Sequence, residues 1–447
     1  MVVATPEPLT SRLAGPGIRA LAIAEVLAAD HDVQLVTTET ATRQGTGFTI
    51  RSVDERGLRA AEKWCEVLIV QGWMLSGRPF LVGSSKVLVC DLYDPLHLEA
   101  LEQGRDLEPA ARSDSVAAST AVLNEQLRRG DHFLCASDRQ RDFWLGHLAS
   151  LGRVNPLTYD EDPTLRALIG VVPFGIPAMA PVRRVPSIRG VVPGIGADDR
   201  IVLWGGGIYN WLDPLTVIRA VDRLRADHPN LRLYFLGLRH PSPDVPAMRT
   251  AVEARALADS LGLTGRHVFF NEGWVDYESR QDYLLEADIG ISAHIDHLEA
   301  SLSFRARILD YLWAGLPVVA TRGDVLADLI ERRGLGATVA AGDVEAMASA
   351  LGGLLDDAEL HRRCRDNIAA VVPALTWPEV LAPLVEFCRD PRRAPDLLAG
   401  TGAVATHWKG WRHDVSVGLD YLRRGGPRLL AEKAVGRARR FARPPHR

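Results

Sequence analysis

Residues 303–321 read Ser303-Phe304-Arg305-Ala306-Arg307-Ile308-Leu309-Asp310-Tyr311-Leu312-Trp313-Ala314-Gly315-Leu316-Pro317-Val318-Val319-Ala320-Thr321, and this stretch decides the fold. Ile308, Leu309, Leu312 and Trp313 recur at helical spacing. Gly315 stands where a helix would stop, and Pro317 opens a β-branched run too short for anything but a buried strand. The expectation is helix, tight turn, parallel strand. At the front, Leu302-Ser303-Phe304 is predicted to lead straight into the helix, with Arg305 and Arg307 in its first turn, where the dipole alone favours acids. An anionic ligand held by the helix N-terminus and both guanidinium groups would explain two cations there. Solvated surface arginines are the plainer reading.

The chain on either side repeats this alternation. Short β-rich runs, at residues 1–4, 31–37, 67–72, 86–91, 132–137 and 168–172, are separated by helical patterns, which is the signature of a parallel sheet covered by helices. A stretch rich in Pro, Gly, Arg and Val, within 178–199, lacks either periodicity and reads as a linker. A second α/β unit follows, with strands expected at 201–204, 231–237, 267–271, 288–292 and 318–321. The fold class is therefore α/β, two doubly wound parallel-sheet domains facing a central cleft. The boundaries expected are 1–177, linker 178–199, 200–375, a crossing helix at 376–395 and a tail at 396–447. Thr376 and Glu379 have capping-box spacing at the start of the crossing helix.

Candidate site residues lie where strands end. Gly15 and Gly17, with Arg19, follow the first strand at a helix start, where glycines let backbone amides approach a ligand. Asp91 and Asp94 lie just past the strand 86–91, on the side where open α/β sheets place their ligand crevice; capping the next helix is the alternative. Gly205, Gly206 and Gly207 form a loop without side chains after the strand 201–204, suited to phosphate, although no P-loop lysine follows.

Composition bounds the rest. With 447 residues, 47% hydrophobic and 24% charged, the chain has the make-up of a soluble two-domain protein. It has no apolar run of about 18 residues and no secretory start, so a cytoplasmic location is expected, without a transmembrane anchor. Five scattered cysteines suggest neither a disulfide framework nor a thiolate metal site. The net charge of −4 conceals a basic tail: from Thr401 on, Lys and Arg outnumber Asp and Glu by eight. Within it Trp408, Trp411 and Tyr421 precede a basic amphipathic pattern at 427–443, which suits the inner face of an anionic membrane, a solvated or disordered tail being the alternative; the acidic body disfavours nucleic acid.

The words Gly15-Pro16-Gly17-Ile18-Arg19, Pro173-Phe174-Gly175-Ile176-Pro177, Gly273-Trp274-Val275 and Asp310 through Thr321 resemble those of the retaining glycosyltransferases of family 4, which have the GT-B fold. The resemblance implies a nucleotide-sugar donor on the second domain. It implies Asp310 for the ribose, Trp274 and Val275 for the base, and Ser303, Phe304 and Gly205 to Gly207 for the diphosphate. The family pairs two glutamates across seven residues; here Leu302 occupies the first position and Glu299 is an approximate substitute. Gly207 and Leu212 stand where the family has Arg and Lys, leaving Arg305 and Arg307 as leaving-group cations, and no histidine follows the strand ending in Asp91. The expected activity is transfer with retention from a nucleoside-diphosphate sugar to a hydroxyl of a sugar or lipid-linked acceptor, in cell-surface polysaccharide or glycolipid assembly. It needs no metal or other cofactor, and Asp91 or Asp94 acts on the attacking hydroxyl. Tailoring of a soluble natural product, and a silent sugar-nucleotide-binding partner, are the alternatives.

Overall fold

The computed structural model describes residues 1–238 and 248–400, together with Arg423 and Pro427. The tail pattern at 427–443, with Trp408, Trp411 and Tyr421, lies outside the described residues apart from Pro427.

The first sheet has seven strands: β1 Val2–Thr5, β2 Gln34–Thr37, β3 Thr49–Ser52, β4 Val67–Gln71, β5 Val87–Asp91, β6 His132–Cys135 and β7 Ile169–Val171. Their order is β3-β2-β1-β4-β5-β6-β7, and each pairing is parallel. Covered on both faces by helices, the central strands are continuous apolar runs; Val2, Val3, Ala4, Leu68, Ile69 and Val89 are fully buried. Strand β3, mostly exposed at the sheet edge, carries no such run and was not anticipated from sequence.

The second sheet contains β8 Arg200–Trp204, β9 Leu231–Phe235, β10 Val268–Phe270, β11 Ile289–Ser292, β12 Val318–Thr321 and β13 Gly336–Val339. The order β10-β9-β8-β11-β12-β13 reverses at β8 as the first sheet's reverses at β1. The deciding stretch forms a helix, Ala306–Trp313, then Gly315 at φ +69°, then β12. Leu316 N–H donates back to Tyr311 O at 2.9 Å and closes the turn. The helix begins later than expected. Ser303 ends the preceding short helix, Leu298–Leu302, and Arg305 is the N-cap residue.

Residues 178–199 form no regular element, yet they are fastened to the second domain. The carboxylate of Glu286 accepts from Ser187, Ile188 and Arg189 N–H at 3.0, 2.8 and 2.8 Å. Beyond Val371 the chain returns to the first sheet: Trp377 N–H donates to Ile176 O at 2.9 Å, and His132 of β6 stacks on Phe387 at 4.2 Å. Thr376 does cap the helix Trp377–Val380 by position, but its hydroxyl donates to Pro373 O, so the expected capping box is absent. The five cysteines are buried and free. Among the described residues no helix is long and apolar enough to cross a membrane.

Candidate active site

Both sheets point their carboxyl ends at one another, and a cleft of ≈ 520 Å³ lies between them, within the range of small-ligand sites. Gly15, Asp91, Asp94, Gly205 to Gly207, Trp274, Val275, Glu299, Ser303 to Arg305, Arg307 and Asp310 all line it. The two families of sequence candidates, hundreds of residues apart, are thus brought to one space.

On the second-domain wall the glycine loop is shaped by aromatic rings. The Gly205 N–H donates to the Tyr311 hydroxyl at 2.6 Å, and that hydroxyl donates to Ile291 O at 2.8 Å. The expectation that Gly205 offers its amide to a phosphate is therefore corrected: the amide is spent on Tyr311. Gly206, at φ +72°, has nothing near the position of a Cβ and leaves the loop open. The Trp274 ring lies so close to Gly207 and Gly237 that a Cβ there would stand 3.1 and 3.2 Å from it. Its indole N–H donates to Leu13 O of the first domain. Stacked Tyr209 and Trp211 also line the cleft.

Three arginines line the cleft on this side. Arg307 donates Nη2–H to Gly207 O at 3.0 Å and lies 5.0 Å over the Trp204 ring, while its buried Nη1 has no partner. Burial lowers it from the ordinary guanidinium value, and among the described residues no carboxylate is paired with it. Arg305 is paired with Glu299 at 2.7 Å and keeps a buried Nε–H unsatisfied. Arg280 donates to Asp310 at 3.0 Å and is held between Tyr277 and Trp313. Ser303 offers less than expected: its amide donates to Glu299 O and its hydroxyl to Ala300 O. Phe304 stacks on Phe174 across the cleft.

The first-domain wall also departs from expectation. Arg19 is fully buried and grips Asp91 with two hydrogen bonds, Nε to Oδ2 at 2.7 Å and Nη2 to Oδ1 at 2.9 Å. It also donates to Val172 O and Pro173 O, tying β7 to the helix Gly15–Leu27. Neither Arg19 nor Gly17 faces the cleft. Asp91, occupied by Arg19 and by Gln71 Nε2–H at 3.0 Å, is a structural counter-ion and not a free base. Asp94 remains, hydrogen-bonded to Glu99; burial, then the charge of Glu299, raises its carboxyl to about 7, and burial with Asp94 pushes Glu99 well above the ordinary range. Glu99, Gln71, Gln126 and Arg280 were missed from sequence. Only Gln126 carried a signal, as an amide among Val122, Leu123 and Leu127 on the buried face of a helix.

A model of the group 1 glycosyl transferases matches residues 199–357, the segment that carries the glycine loop, Arg305, Arg307 and Asp310. Over 317 residues the chain is 27% identical to a 2-deoxystreptamine N-acetyl-D-glucosaminyltransferase of Streptomyces fradiae, a match spanning 68% of this chain and 64%, a little under two thirds, of the relative. Among solved structures, WaaG, a glycosyltransferase involved in lipopolysaccharide biosynthesis, superposes with a TM-score of 0.61 at 18% identity, covering 86% of this chain and 99% of WaaG. Anabaena Alr3699/HepE in complex with UDP-glucose gives 0.59 at 14% identity, over 87% of this chain and 99% of HepE. The two sheets and their cleft define a GT-B protein. Within that class the second domain matches the group 1 glycosyl transferases.

Proposed function

We infer that this chain transfers a sugar, with retention, from a nucleoside-diphosphate sugar to an acceptor hydroxyl. The observation that carries the reading is Arg307, a cleft-lining guanidinium with no carboxylate partner among the described residues and with a buried N–H unspent. An uncompensated cation beside a loop without side chains is a site for a dianionic leaving group. Arg305 adds its free Nε–H, and Asp310, shared with Arg280, takes the ribose hydroxyls. Trp274 and Val275 border the base. Charge from two arginines supplies the leaving-group stabilisation without a divalent ion. HepE, whose solved structure holds UDP-glucose, makes UDP the first nucleotide to try.

On the first-domain wall, Asp94 orients the attacking hydroxyl. WaaG's role in lipopolysaccharide assembly supports a sugar or lipid-linked acceptor in cell-surface glycan or glycolipid synthesis, at the cytoplasmic face of the membrane, with the basic tail as the membrane contact. The Streptomyces relative, named for an aminocyclitol acceptor, supports the second reading, tailoring of a soluble natural product.

The test is a thermal-shift screen of UDP, GDP, dTDP, CDP and ADP with EDTA present, on the wild type and on Arg307→Ala. One nucleotide is expected to raise the melting temperature, and the shift to vanish in the variant. Donor turnover in that screen's best nucleotide is expected to fall about 10²–10³-fold in Arg307→Ala. Absence of any shift, or a shift untouched by the substitution, sinks the donor site. Binding without turnover of any donor leaves a silent partner.

A further inference from the structure

The first-domain wall of the cleft is built of hydrogen-bond acceptors. Gln71 and Gln126 line it, each 1% exposed. Gln71 donates Nε2–H to the Asp91 carboxylate at 3.0 Å, and Gln126 donates Nε2–H to Gly72 O at 2.6 Å. A carboxylate and a carbonyl can only accept, so each amide is fixed with its nitrogen spent on the protein and its oxygen left over. Both Oε1 atoms are buried without a partner. Buried polar atoms are almost always satisfied, and two orphaned acceptors in one cleft wall call for a ligand rich in donors.

The charges in this wall say which donors. Asp91 is neutralised by Arg19, and across the cleft Glu299 is neutralised by Arg305, whose charge also reaches Asp94 and Glu99. Asp94 and Glu99 also line the cleft, and among the described residues neither is ion-paired with a Lys, Arg or His. They share a hydrogen bond, with burial raising both carboxyls, so at neutral pH the pair holds a proton in place of a counter-ion. The helix Leu96–Gln103, which carries Glu99, packs along the helix Pro109–Arg129, which carries Gln126. Hydroxyl groups alone would satisfy the amide oxygens and leave this carboxyl pair without an ion-pair partner.

We propose that this wall is the acceptor subsite and that the acceptor is a polyhydroxylated molecule bearing an ammonium group, which seats against Asp94 and Glu99 while neighbouring donors reach the oxygens of Gln71 and Gln126. The inference rests on the transferase reading of the same cleft. A matched pair of ligands tests it: 1,3-diamino-1,3-dideoxy-scyllo-inositol and scyllo-inositol, the same ring with and without two amines. Each is titrated calorimetrically into the full chain at neutral pH, with and without UDP.

The diamine is expected to bind at least about 10-fold more tightly than the inositol, as a charge-assisted hydrogen bond to a buried carboxylate gives. Glu99→Gln is expected to reduce that preference to about unity while UDP binding, which reports an intact fold, stays at the wild-type value. Asp94→Asn is the second variant if Glu99→Gln fails to fold. Equal binding of the two ligands, a preference that survives both substitutions, or no binding of either ligand overturns the proposal. UDP binding without amine preference defeats this inference alone, whereas amine preference without UDP binding defeats the donor reading and leaves the acceptor wall standing.

Discussion

Arg19 and Asp91 show how far a single residue can move from its expected role. Asp91 stood at a strand's carboxyl end and Arg19 at a helix start, both places where ligands bind, and each is instead the other's buried partner. Removing one member leaves an uncompensated charge in the core. Arg19→Ala or Asp91→Ala is expected to cost about 3–5 kcal/mol in urea unfolding, with donor binding per folded molecule unchanged. A catalytic Asp91 would give the reverse: a stable protein without turnover. Gly290 makes a second prediction at this scale. The Tyr311 ring lies on it so closely that a Cβ would stand 2.3 Å from the ring. Gly290→Ala is expected to destabilise by about 1–3 kcal/mol and, because Tyr311 holds Gly205, to weaken nucleotide binding; calorimetry and urea titration read the two effects. Nothing in the sequence signalled either pairing, since 72 residues separate Arg19 from Asp91 and chain spacing says nothing about which side chains meet.

At the scale of elements, the deciding stretch behaved as its periodicity required from Ala306 onward. The apolar stripe of Ile308, Leu309 and Leu312 is buried, and Gly315 stops the helix. Its start was misplaced because no side chain caps it: Arg305 stands at the N-cap without a capping hydrogen bond, and Ser303 closes the helix before. The linker was legible as irregular chain from its Pro and Gly content. That it is fastened down was not, because the Glu286 carboxylate that accepts three of its amides comes from a turn about a hundred residues on. Glu286→Ala would leave those amides without an acceptor. We expect a loss of about 1–3 kcal/mol and faster proteolytic cleavage within residues 178–199, followed by limited proteolysis of wild type and variant.

Over the whole molecule, the closed cleft is held by contacts between domains. Gln140, fully buried, donates to Tyr93 O on one side and Leu302 O on the other, both at 2.7 Å, and Phe304 stacks on Phe174. Closure of this kind excludes water from a reactive donor. Buried ionisable groups give the molecule a two-sided pH response. Burial lowers His97, His132 and His294 from 6.5 to about 4, so below pH 6.5 the unfolded chain binds protons that the folded chain refuses, and these histidines subtract stability as pH falls toward 4. Asp94, raised from 3.8 to about 7, works the other way: the folded chain holds a proton that the unfolded chain has released, so its contribution declines as pH rises from 3.8 to 7. His132→Asn is expected to lose less stability than wild type between pH 6.5 and 4, and Asp94→Asn less between pH 4 and 7. Urea midpoints across that range check both signs.

The inner strands of the two parallel sheets and the cleft between them were legible in the chain alone, because a strand buried on both faces must be apolar throughout and a covering helix must be apolar on one stripe, and both patterns are local; the edge strands β3 and β13 carry no such run and were not. The sequence by itself also determined that Arg305, Arg307 and Asp310 share one short segment. The tertiary structure alone decided which charges cancel. Arg19 with Asp91, and Arg305 with Glu299, are pairings of distance in space, and only after they are made do Arg307 on one wall and the carboxyls of Asp94 and Glu99 on the other stand out as ionisable groups without an ion-pair partner among the described residues.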